Sequence, residues 1–136
     1  MIKFFKKNTG FSFLELVVVC LLISTLLAIA IPAFLNARHN ADKQKGIYNL
    51  YAIYQAQKMY FFDQDPQQYS FDIMSLLPYA TISEDDGSWG YLISFSGGAS
   101  FTATANHKLP DGTSDGFWIS IDETGSIDDA PAHWPY

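Results

Sequence analysis

One carboxylate, Glu15, stands four residues after Phe11 in an apolar run that reaches Leu35. A charged group at the centre of a bilayer costs about 2.5–3.5 kcal/mol on insertion scales, less near an interface, and calls for a partner. Other groups with chemical potential are scattered. Asp111, Asp115, Asp122, Glu123, Asp128 and Asp129 crowd the C-terminal third. Oxygen-rich loops bind calcium, but no EF-hand spacing is present, and a solvated acidic surface is the simpler reading. His39, His107 and His133 are far apart and adjoin no cysteine, so no zinc site is expected. Cys20, the single cysteine, lies within the apolar run and can form no intramolecular disulfide. Ser, His and Asp occur without a motif that unites them, and no glycine-rich nucleotide loop is present. No enzyme is expected.

The run that carries Glu15 must be positioned by a helix. Phe11 to Leu35 holds 25 residues with that one charge. As a helix it spans about 37 Å at about 1.5 Å per residue, enough for a hydrocarbon core of about 30 Å. The preceding MIKFFKKNTG carries Lys3, Lys6 and Lys7 and no acid, which marks it as cytoplasmic by the positive-inside rule. A cleaved secretory signal competes with this reading, because Ala28-Ile29-Ala30 loosely offers a small-x-small site. A plain signal anchor competes too. Neither accounts for Glu15.

Lys6-Lys7-Asn8-Thr9-Gly10 followed by Phe11-Ser12-Phe13-Leu14-Glu15-Leu16 closely resembles the class III signal of type IV pilins and pseudopilins. The resemblance implies cleavage after Gly10 by a membrane peptidase and N-methylation of the new terminus, Phe11. It implies that Glu15 of an incoming subunit pairs with the terminal amine of a neighbour, a contact that would set register more than add stability. Pro32 fits the same family. Inside a helix it removes one backbone bond and should kink or loosen the preceding turn. Ser24-Thr25 stands where many relatives have glycine. Some major pseudopilins of the family hold calcium in a C-terminal loop, although their ligand pattern cannot be matched here residue by residue.

The remainder is a head. From Asn36 to about Phe62 the helix should continue, with Ile47, Leu50, Tyr51, Tyr54, Lys58 and Phe61 forming one stripe that packs in a core. Arg38, Asp42, Lys43, Gln44, Gln55 and Gln57 should fill the other faces, and Gly46 should weaken the helix or let it bend. Asp63-Gln64-Asp65-Pro66 ends it, and Ser70–Pro78 reads as a short helical turn. Trp89, Tyr91, Ile93 and Phe95 alternate, Gly97-Gly98 turns, and residues 100–106 alternate again, which predicts a hairpin. Leu109-Pro110-Asp111-Gly112 is a turn, Phe117–Ile121 a third strand, and Glu123–Ser126 a turn toward Ile127. The tail 128–136 has no periodicity, and its Trp134 and Tyr136 should pack on the sheet or between subunits. The expected fold is α+β: one long helix against an antiparallel sheet of three to four strands. The expected parts are a leader (1–10), a membrane and filament-core helix (11–35), and a head (36–136).

Charge narrows the partners. The chain carries a net −6, and without the three leader lysines 5 basic residues face 14 acidic ones, a net of −9. Such a body repels phosphate backbones, so no general nucleic-acid binding is expected. The resemblance implies instead a homopolymer, the prepilin peptidase and an inner-membrane assembly machine. It leaves two filaments open: a surface type IV pilus, or the periplasmic pseudopilus of a type II secretion system. The first is favoured by the aromatic-rich head and the lack of a recognisable calcium loop. A monomeric anchored binding module is a third reading, which Glu15 and the cleavage motif oppose.

Overall fold

A computed structural model describes residues 10–95 and 99–129. The chain divides into two units, Met1–Asn40 and Ala41–Tyr136. One helix, α1 (Phe13–Asp63), contributes to both.

In the first unit α1 is apolar and exposed on every side. It is long and apolar enough to cross a membrane, and none of its most apolar window is buried within the chain. The polar pair inside it is self-satisfied. Ser24 Oγ donates to the Cys20 carbonyl (2.7 Å) and Thr25 Oγ1 to the Leu22 carbonyl (2.8 Å). Both hydroxyls thereby avoid facing hydrocarbon without a partner. The helical assignment continues through Pro32.

The second unit joins the rest of α1 to a four-stranded antiparallel sheet in the order β1-β2-β3-β4. The strands are β1 (Trp89–Phe95), β2 (Phe101–Lys108), β3 (Ser114–Asp122) and β4 (Ile127–Asp129). A 3-10 turn, Met74–Leu76, lies between helix and sheet. Alternation decides which side chains face inward. Trp89 and Tyr91, then Phe101, Ala103 and Ala105, then Phe117, Ile119 and Ile121 are buried with Leu50, Ile53 and Ala56 of α1. The turns follow their residues. Gly112 donates to the Leu109 carbonyl (2.8 Å) and Gly125 to the Asp122 carbonyl (3.0 Å). Both glycines have positive φ, near +84° and +82°, which a side chain would strain.

Four expectations need correction. Tyr51 is 43% exposed rather than part of the core stripe, whose centre is Leu50 and Ile53. A helix advances about 100° per residue, so the buried arc through Ala56, Ile53, Gln57 and Leu50 has Tyr54 at its edge and leaves Tyr51 outside it. Gln57, expected on a polar face, is fully buried. Its amide donates to the Ser70 carbonyl and its carbonyl accepts the Ser70 N–H, both at 2.8 Å. The glutamine thus closes the loop after α1 by replacing two backbone partners. Gly46 also has a packing reason: a Cβ there would lie 2.9 Å from the Trp89 ring. Asp128 and Asp129 belong to β4, opposite Ser120 and Ile119. The third strand is longer than expected, beginning at Ser114. The Gly97-Gly98 turn, His133, Trp134 and Tyr136 lie outside the described residues.

Candidate functional site

The residues expected to carry function converge at the start of α1. Gly10, Phe11 and Ser12 precede the first helical residue, in exposed non-helical backbone. Phe11 is 77% exposed. Glu15 is the third residue of the helix, and its carboxylate accepts the Ser12 N–H at 3.1 Å. This is the return half of a capping box, with Ser12 as the N-cap. The Ser12 carbonyl accepts the Leu16 N–H (3.1 Å) and opens the helical ladder. The carboxylate therefore points back toward the chain start, where the helix dipole favours negative charge. Pro32 lies 17 residues further along the same helix and takes no part in this cluster.

The head contains polar clusters that sequence reasoning missed. His107 on β2 lies between two carboxylates: its Nδ1 is 2.6 Å from Asp115 of β3 and its Nε2 3.1 Å from Asp42 of α1. The Asp42 carbonyl also accepts the Trp89 indole N–H (3.2 Å). The two ring nitrogens point in opposite directions, so this trio cannot close on one shared ion. Among the described residues no group of three or more His, Cys, Asp or Glu side chains is placed to hold a metal. The expected acid cluster is dispersed accordingly. Asp111 accepts the Thr113 N–H and hydroxyl, and Asp122 does the same for Thr124. In each case the threonine hydroxyl bond, followed by backbone donors, holds the carboxyl below its ordinary range. These acids serve as turn clamps.

Asp86 forms a second node. It accepts the Ser88 and Trp89 N–H groups, the Tyr91 hydroxyl and the Asn49 amide, and pairs with Lys45 at 3.2 Å. Burial pushes this carboxyl up, but those donors outweigh it and hold it below the ordinary value. Burial, opposed by the Asn49 amide and reinforced by Asp86, raises the Tyr91 hydroxyl far above its usual range. The geometry of these groups is that of fixed crosslinks between α1 and the sheet. Only three-dimensional proximity could have revealed them, since Asp42 and His107 are 65 residues apart.

No protein-family model and no solved structure matches the chain. Similar named proteins include the type IV major pilin protein PilA of Myxococcus xanthus, 34% identical over 96 residues, or 71% of this chain and 41% of that protein. The type II secretion system core protein G of Escherichia coli is 35% identical over 57 residues, 42% of this chain and 39% of that protein. Its counterpart from Vibrio cholerae is 34% identical over 58 residues, 43% of this chain and 40% of that protein. The chain spans about two fifths of the length of these curated relatives.

Proposed function

Because the chain belongs to the type IV pilin and pseudopilin family, we infer that it is a structural subunit of a type IV pilus. The reach of the pilin match carries this choice. An alignment of 96 residues that began at residue 1 would still run past Asp63 and through β1. The matches to the secretion proteins, 57 and 58 residues long, are short enough to fall within the first 63. The likeness to the pilin thus extends past the end of α1 into the sheet. The relatives' names describe a pilin and secretion components, not enzymes, which agrees with the absence of a catalytic motif.

The precursor sits in the inner membrane through residues 11–35, with the lysines of 1–10 on the cytoplasmic side. The prepilin peptidase cuts after Gly10, and Phe11 becomes an N-methylated amine that keeps its positive charge. Glu15 is the counter-charge. Within one chain its carboxylate is held by the Ser12 N–H. On assembly it exchanges that weak donor for the terminal amine of a neighbouring subunit, a charge-assisted bond that is stronger in a low-dielectric setting. Identical helices then bury one another in a head-to-tail contact that does not close, which generates an open helical filament. Pro32 loosens the preceding turn so that the helix can adapt along the filament.

Deletion of the gene, with electron microscopy of the cell surface and an inventory of secreted proteins, tests the reading. Loss of surface filaments with secretion intact is expected. Intact filaments with lost secretion would instead assign the chain to a type II pseudopilus. Glu15→Ala in the restored strain should leave the precursor in the membrane and abolish filaments; normal filament yield would refute the pairing.

A further inference from the structure

The sheet face turned away from α1 holds a shallow groove of about 370 Å³, lined by Thr102, Thr104 and Asn106 of β2 and Trp118 and Ser120 of β3. Register brings these residues together: Asn106 lies directly opposite Trp118, and Thr104 opposite Ser120. All five project to the same side, opposite the buried Phe101, Ala103, Ala105, Ile119 and Ile121. The volume lies in the lower part of the roughly 300–1,000 Å³ range of small-molecule sites.

The chemistry of the lining is specific. Among the described residues, no hydrogen bond engages any of these five side chains. Three hydroxyls, one carboxamide and one indole N–H therefore have no hydrogen-bond partner among the described residues. None of the five is ionisable, although their unit carries 4 Lys and Arg against 13 Asp and Glu. A half-buried indole beside neutral donors and acceptors suits a ligand with an apolar C–H face and a ring of hydroxyls. The negative face of the indole attracts C–H edges, and hydroxyl and amide groups match sugar hydroxyls as both donors and acceptors. Register also places acids at the border: Asp122 opposite Thr102 and Asp128 opposite Ser120. These carboxylates repel anionic sugars.

We propose that this outer sheet face binds a neutral saccharide, with Trp118 as the stacking platform and Thr102, Thr104, Asn106 and Ser120 as its hydrogen-bonding partners. The groove opens on the face opposite the buried side chains. Binding by a single chain needs no filament, and its failure would leave the pilus reading untouched.

The test titrates the full chain, in a detergent without a sugar headgroup, with cellotriose, chitotriose and trigalacturonate, read by calorimetry and tryptophan emission. Saturable binding of at least one neutral trisaccharide is expected, with trigalacturonate at least tenfold weaker. Trp118→Ala should weaken binding tenfold or more. Thr104→Val, which keeps the shape and removes one hydroxyl, should weaken it about threefold at an unchanged melting temperature, and it stands as the test if the alanine variant does not fold. Absence of binding by both neutral sugars, equal binding of trigalacturonate, or full binding by Thr104→Val and a folded Trp118→Ala would overturn the proposal. So would an emission change that follows protein concentration, which marks the groove as a contact between copies. Binding that appears only after truncation behind Asp129 would show the chain's own end to be the occupant and would overturn it as well.

Discussion

At the scale of single residues, Gly46 and Glu15 show how one side chain, or its lack, fixes a contact. Alanine at a helical glycine ordinarily stabilises by about 1 kcal/mol. At Gly46 the added carbon would meet the Trp89 ring at 2.9 Å. That ring is fully buried, hydrogen-bonded to the Asp42 carbonyl, and flanked edge-on by His107 and Phe117 at 5.0 and 5.9 Å. It has little room to move, and overpacking costs about 1–3 kcal/mol. Crowding should exceed the propensity gain, so Gly46→Ala is expected to lower the unfolding free energy by about 1 kcal/mol, measured by denaturant titration. A more stable variant would show that the indole yields. Glu15 was legible from the sequence because a carboxylate in an apolar run is anomalous. Its hold on the Ser12 N–H matches the Ser-x-x-Glu spacing of a capping box, a signal carried by the sequence itself.

At the scale of elements, α1 and the sheet are tied by crosslinks whose strength depends on charge. Asp86 accepts from Asn49 of α1 and Tyr91 of β1, and its carboxyl is held below the ordinary range. The folded chain therefore takes up this proton less readily than the unfolded chain. The resulting stability is present above the unfolded pKa of about 3.9 and is lost as pH falls through the lowered folded value. The melting temperature should decline more steeply below about pH 4 in the native protein than in Asp86→Asn. Parallel declines would remove Asp86 as a source of acid sensitivity. Pro32 yields an expectation of the same scale. It lacks the N–H that would bond the Ala28 carbonyl, and proline is about 3 kcal/mol less favourable than alanine inside a helix. Amides of residues 29–31 and 33 should exchange faster than those of 17–23 in the full chain, and Pro32→Ala should slow them; no change on substitution would show a turn already tight. Elements with strong periodicity were legible: the helix end at Asp63, the β1–β2 hairpin and the turn at Leu109–Gly112. Strand β4 was not, because three residues paired to β3 leave no periodic trace. Nor was Gln57, since a buried glutamine is exposed as such only by the loop folded over it.

At the scale of the molecule, two units of opposite character share one helix. The first exposes apolar side chains all around, and the second buries its apolar face under a sheet and presents acids and neutral polar groups. The α+β architecture was readable from the order of periodicities, 3.6 and then 2. The polar nodes were not, because Asp42, His107 and Asp115 carry no spacing signal. The exposed apolar helix has no stable resting place in water. It requires either a membrane or other copies of itself, and the bond after Gly10 is the proposed switch between the two. The most direct measurement is the intact mass of the chain recovered from filaments sheared off the cell surface. The account predicts a protein that begins at Phe11 and carries one added methyl group on its terminal amine. A filament protein that retains residues 1–10, or sheared filaments that lack this chain, would contradict it.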